Sequence, residues 1–159
     1  MNWLTNLLLV IGLIIIFVVL VIRLRRKLLK LWTDVSENEV HFHKLLHETA
    51  IMFVDNKALL QNEDNVQMIR KLSKYKKKKL RQLLLKERQD LFSSLNTIID
   101  DVEDEDNEKL TSMKEKFEEL QKVRRLYNSK ILVYNQTISV FPTRFLAIKM
   151  NLQIKEYFG

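Results

Sequence analysis

The chain contains no cysteine, and only two glycines and one proline among 159 residues. Without thiols there is no disulfide framework, no thiolate metal site and no cysteine nucleophile. So few turn-formers exclude a many-stranded sheet or barrel, whose corners draw on Gly, Pro and Asn. The sequence also lacks a glycine-rich phosphate loop, a nucleophile elbow and an HExxH motif, and its Ser, His and Asp are scattered. The protein is therefore expected to be non-catalytic and to use no cofactor. What remains is an all-α fold, with long helices, few connections and one modest core.

The most conspicuous segment is WLTNLLLVIGLIIIFVVLVI, Trp3 to Ile22, without a single charge. At about 1.5 Å per residue, such a helix covers a hydrocarbon layer of about 30 Å. A helix buried in a soluble protein would show water a polar stripe, and this one has none. A cleaved signal peptide needs a basic start, a shorter apolar core and a small-residue cleavage site. Met1 to Asn6 carries no charged side chain, and no A-x-A stretch follows. Residues 1–22 are thus expected to form an uncleaved transmembrane anchor. Arg23, Arg25, Arg26, Lys27 and Lys30 come directly after it. Basic residues are retained on the cytoplasmic side, which places the N-terminus outside the cell membrane and residues 23–159 in the cytoplasm. The same side chains sit at the lipid headgroups, each contributing about 1 kcal/mol of attraction to an anionic surface.

Beyond the anchor the helical pattern continues. Trp32, Val35, Phe42, Leu46, Met52 or Phe53, and Leu59 or Leu60 recur at helical spacing, up to a polar break at residues 61–65. A second helix is expected from about Val66 to Val102, with Ile69, Leu72, Leu80, Leu83, Leu84, Leu91, Leu95 and Ile98 on its apolar side. The acidic tract Asp100 to Glu108 connects to a third, where negative charge suits a helix N-terminus. There Leu110, Met113, Phe117, Leu120, Tyr127, Ile131, Tyr134, Ile138 and Phe141 alternate steps of three and four, broken only by Arg124. A seam of four heptads implies a coiled-coil-like bundle contact, which Pro142 ends. An amphipathic tail, about Thr143 to Phe158, is expected to pack over the far end. The expected architecture is an N-terminal transmembrane helix continuous with an elongated antiparallel three- to four-helix bundle.

Three features invite chemistry. His41, His43 and His47 cluster, with Glu39 one turn before His43, so that a metal face is conceivable. No further ligand is identifiable on another helix, and solvent-facing positions beside Phe42 and Leu46 are the preferred reading. The run Lys74-Tyr75-Lys76-Lys77-Lys78-Lys79, extended by Arg81, Lys86 and Arg88, has one aromatic and no groove-entering module. It reads as a solvated helix face, or one that meets lipid or an acidic protein, rather than as a nucleic-acid site. The acidic tract lacks the glycine of an EF-hand loop.

The dipeptide Tyr127-Asn128 recurs seven residues on as Tyr134-Asn135, followed by Phe141-Pro142. Seven residues are two helical turns, so both tyrosines share the seam with Ile131 and Ile138. Asn128 and Asn135 fall one step aside, where an amide can bond a neighbouring helix or backbone and fix its register. Arg124, Tyr127, Asn128, Tyr134, Asn135, Phe141 and Pro142 are the candidate interaction or register residues, with a core role favoured.

On these residues, with Phe117, Leu120, Arg125, Leu126, Ile138, Ala147 and the closing Glu156-Tyr157-Phe158, the C-terminal third resembles the LemA family of bacterial membrane proteins. Trp32-Thr33-Asp34-Val35 looks like that family's W-S-D-I segment. The chain departs from the pattern at Val40 to His47 and in its lysine-rich middle, which suggests a divergent member. The resemblance implies a single-pass protein with a small cytoplasmic helical bundle and no known catalytic activity. It also implies loose association with membrane stress, membrane proteases and internal membrane formation. A helical adaptor or scaffold, with the lipid bilayer and an unidentified membrane or cytoplasmic protein as partners, is the leading expectation. A homo-oligomeric coiled-coil element, stator-like or divisome-like, is the alternative.

Overall fold

The computed structural model describes residues 2–60, 65–75, 83–102 and 107–159, and every regular element among them is a helix. In chain order these are α1 (Trp3–Asp55), α2 (Lys57–Leu60), α3 (Val66–Tyr75), α4 (Leu85–Asp100), α5 (Glu108–Ser139) and α6 (Thr143–Lys149). The apolar segment and the helix after it are one element, as expected from the unbroken pattern. The chain forms two compact units. Residues 1–36 with 130–156 make unit 1; residues 37–129 with 157–159 make unit 2.

Unit 1 is built from the first part of α1, the last turns of α5, and α6. Its core holds Leu28 and Val35 of α1, Ile131, Tyr134 and Ile138 of α5, and Ala147 of α6, all buried. An ion pair of 3.9 Å between Asp34 Oδ2 and Lys130 Nζ marks the level at which α1 and α5 meet. Trp32 and Tyr134 line a common recess, so the numbering falls along α1 as it rises along α5 and the pair is antiparallel. Toward its N-terminus α1 loses its cover, and from residue 2 to residue 20 only Gly12 is better than exposed. The hydroxyl of buried Thr143 donates to the carbonyls of Thr137 and Val140, which seals the end of α5. At the other end of α6, Asn151 adopts a left-handed conformation with φ of 54°. Leu152 N–H then returns to Ala147 O at 2.9 Å, the bond by which a Schellman-type cap satisfies a last-turn carbonyl.

Unit 2 gathers Phe42, Leu46 and Phe53 of α1, Leu72 of α3, Leu91 and Leu95 of α4, and Met113, Phe117, Leu120 and Tyr127 of α5. Phe158, from the C-terminal segment, joins this core, its ring 4.6 Å from that of Phe42 and edge-on to it. The buried hydroxyl of Thr49 donates to Leu45 O at 2.8 Å and so leaves no orphan in the apolar stripe.

Several expectations need correction. The second helix is not continuous: Leu83 and Leu84 are outside any helix, and Leu84, extended with ψ of 156°, precedes α4. Glu87 causes that start by accepting the Leu84 N–H at 2.8 Å, an N-terminal donor the helix itself cannot satisfy. Leu84 is consequently exposed rather than core. Trp32 is also outside the core, because Leu28 and Val35 take the inward positions of that stretch. Phe141 does not complete the seam: α5 ends two residues earlier, at Ser139, and Phe141 is 88% exposed. The expected break at residues 61–64, the lysines at 76–79 with Arg81, and the acidic residues 103–106 lie outside the described residues.

The buried seam should be the stability-determining surface of α5. Leu120→Ala, at a site with no exposure, is expected to lower the unfolding free energy by about 2–5 kcal/mol. Leu126→Ala, half exposed on the same helix, should stay within about 0.5 kcal/mol. Chemical denaturation followed by circular dichroism distinguishes the two.

Candidate functional site

The recurring Tyr-Asn pair is where side-chain chemistry is most concentrated, and its partner is an extended segment of the chain's own C-terminal part. In unit 1, Asn135 Nδ2 donates to Lys155 O at 2.8 Å while Asn135 Oδ1 accepts Lys155 N–H at 2.9 Å. Tyr134 adds a third bond, its hydroxyl donating to Gln153 O at 3.0 Å. In unit 2, Asn128 repeats the arrangement: Nδ2 donates to Phe158 O at 2.7 Å, and Oδ1 accepts Phe158 N–H at 2.9 Å. Each asparagine therefore pairs with both backbone groups of one residue, as a neighbouring β-strand would.

The interval of seven follows from this geometry. Seven residues of α-helix are two turns, a rise of about 10.5 Å, which returns Asn128 and Asn135 to the same face of α5. Asparagine suits the task because its short side chain carries one acceptor and two donors on a rigid plane. The amides thus meet backbone rather than a second helix.

The tyrosines fill the seam. Tyr127 stacks on Phe42 in unit 2, with centroids 5.8 Å apart and planes 15° apart. Burial, reinforced by the negative charge of Glu39 and opposed by Arg88, pushes the Tyr127 phenol up to about 12. Burial likewise raises that of Tyr134. Arg124, the residue that interrupts the apolar seam, lays its guanidinium over the Phe92 ring at 4.6 Å. Its buried Nε has no hydrogen-bond partner among the described residues, and the ring face lies against the guanidinium there.

The remaining candidates are dispersed. Arg23, Arg25, Arg26, Lys27 and Lys30 are all exposed on α1. Of the histidines, His41 is exposed and His47 half-buried, whereas His43 meets α4. Arg88 Nη1 lies 2.6 Å from His43 Nε2, which ties α4 to α1 within unit 2. The described residues bring no three His, Asp or Glu side chains into a metal-binding group. Pro142 and Phe141 form the exposed turn between α5 and α6. Sequence reasoning missed the receiving residues Gln153, Lys155 and Phe158, and the Arg88–His43 contact. Asparagine at two flanking positions one heptad apart was the available signal for the first.

Comparison of the chain with protein-family models, with curated proteins and with solved structures gave no match.

Two measurements check this description. Asn135→Ala strands the N–H and C=O of Lys155 and is expected to cost about 1–3 kcal/mol. Amide exchange at Lys155 should accelerate more than exchange in the core of α5. For Tyr127, the folded phenol holds its proton above the ordinary value of 10, so the contribution is complete below pH 10 and lost as pH rises toward about 12. Unfolding free energy should fall across that window by on the order of 1 kcal/mol per pH unit, and Tyr127→Phe should abolish this component.

Proposed function

We propose that this chain is a membrane-anchored, non-catalytic helical scaffold of LemA type, with its N-terminus outside and residues 23–159 in the cytoplasm. The carrying observation is the first part of α1. It is long and apolar enough to cross a membrane, none of its most apolar window is buried, and it passes directly into exposed arginines and lysines. Trp3, 73% exposed at the start of the span, suits the opposite headgroup layer. The Tyr-Asn pairs support the LemA reading, because Asn128, Tyr134 and Asn135 bind the backbone of the C-terminal segment, and Phe158 of the closing Glu-Tyr-Phe is one of the residues they receive.

Polar groups of the kind used for chemistry are committed to structure here. The asparagine amides bind backbone, Tyr127 is held protonated, and Arg124 rests on a ring. A scaffold acts through its outer faces, and α5 offers half-exposed Leu126, Leu132 and Val133. The alternative, a stator-like or divisome-like coiled-coil oligomer, needs a free seam. Leu110, Met113, Leu120, Ile131 and Ile138 are already buried within one chain, which favours the scaffold.

Photo-crosslinking residues placed one at a time at Leu126, Leu132 and Val133, in the full chain in its native membrane, test the proposal. The expected result is a discrete adduct to one different protein, identified by mass spectrometry. Adducts only between copies of this chain would transfer support to the oligomer, and no adduct at any position would remove the scaffold reading.

A further inference from the structure

Unit 1 carries an unusual charge. Residues 1–36 and 130–156 contain nine Lys and Arg against two Asp and Glu, a net of +7 that equals the net charge of the whole chain. The remaining residues hold eighteen of each sign. All the chain's excess positive charge thus resides in the unit that contains the apolar span.

The turn between α5 and α6 belongs to the same unit and is apolar on its outside. Val140, Phe141, Phe145 and Ile148 are 57%, 88%, 59% and 68% exposed. Thr143 and Ala147, one helical turn apart, face inward, which sets Phe145 and Ile148 on the opposite side of α6 together with exposed Arg144 and Lys149. The Lys149 ammonium lies 5.1 Å from the centre of the Phe145 ring. No acidic residue occurs between Glu119 and Glu156. In water such a surface is a liability.

Its level along α1 explains it. Asp34 is paired with Lys130, and the helices are antiparallel at equal rise per residue. Eleven residues further along α5's direction brings Phe141 level with about Arg23. Burial supports the same level independently: Val21 and Leu24 are half-buried, whereas every residue from Leu13 to Leu20 is exposed. The apolar run ends at Ile22. The exposed turn therefore stands beside α1 where the uncharged span gives way to the basic residues.

We propose that the α5–α6 turn is a second membrane contact: Phe141, Phe145 and Ile148 enter the interfacial layer of the leaflet beside the anchor, and Arg144 and Lys149 meet anionic lipid headgroups. The ligand is a phospholipid surface. Aromatic and aliphatic side chains flanked by basic residues are the composition such interfaces retain. A tethered second contact is also favoured by its high effective concentration at the bilayer. The proposal rests on the reading of Trp3 to Ile22 as a transmembrane anchor.

The absence of cysteine makes the test direct. Single-cysteine versions of the full chain are labelled with an environment-sensitive fluorophore and reconstituted into phosphatidylcholine–phosphatidylglycerol vesicles carrying nitroxide lipids, labelled near the glycerol or deep in the acyl chain. Gly12→Cys reports the span, and nothing lies within 4 Å of an added Cβ there. Phe141→Cys and Ile148→Cys, both at exposed positions, report the turn. Leu132→Cys, level with about Asp34 and Trp32, lies about 15 Å beyond the end of the span. The expected result is deep quenching at position 12, shallow quenching with blue-shifted emission at 141 and 148, and neither at 132. Quenching at 12 without quenching at 141 and 148 overturns the inference and leaves the anchor standing. Equal quenching at 132 and 141 overturns it as well, since the whole unit would then lie on the surface. Loss of quenching at 12 removes the anchor reading and the inference with it.

Discussion

An extended chain laid along a helix has a difficulty that neither a helix nor a sheet has: its backbone donors and acceptors find no ladder. The structure meets this difficulty with two side-chain amides. Asn128 and Asn135 each satisfy both polar groups of one backbone residue. The Tyr134 hydroxyl adds a bond to Gln153 O, and Phe158 is buried where Asn128 holds its backbone.

Charge and apolarity follow the two units. The unit containing the span has the net positive charge and an exposed aromatic turn, whereas the other has equal numbers of acidic and basic residues around an aromatic core. Average properties of the whole chain conceal this. A net charge of +7 distributed over 159 residues would suit nucleic acid as readily as lipid; confined to the unit with an uncharged helix, it supports the proposed lipid contact over nucleic acid. The scaffold and its second lipid contact are two proposals, the latter dependent on the anchor alone.

Much of the helical architecture was legible because long apolar stripes obey a period that few other structures share. The α5 seam from Leu110 to Ile138 is buried at each expected position, and α1 continues from the apolar segment as its pattern requires. What escaped was decided by local hydrogen bonding. The interruption before α4 depends on one carboxylate reaching the Leu84 amide, and hydrophobic periodicity does not register such a bond. Phe141 continued the period by number, yet period alone does not say where a helix stops. The clamps were half visible: asparagine at a flanking position signals a polar contact, but the sequence does not reveal whether helix or extended backbone receives it.

Phe158 has a bearing on the order of folding. Its ring meets Phe42 across 116 positions of sequence, and Phe92 lies 5.9 Å away on a third segment. Contacts so distant along the chain form late, because the entropy of closing so large a loop is met before any contact rewards it. Until then Phe42 and Phe92 lack the edge-on cover that Phe158 gives both, and keep only their contacts with Tyr127, Phe117 and Arg124. The aromatic core of unit 2 is therefore most vulnerable to association with other chains in the interval before its C-terminal plug arrives.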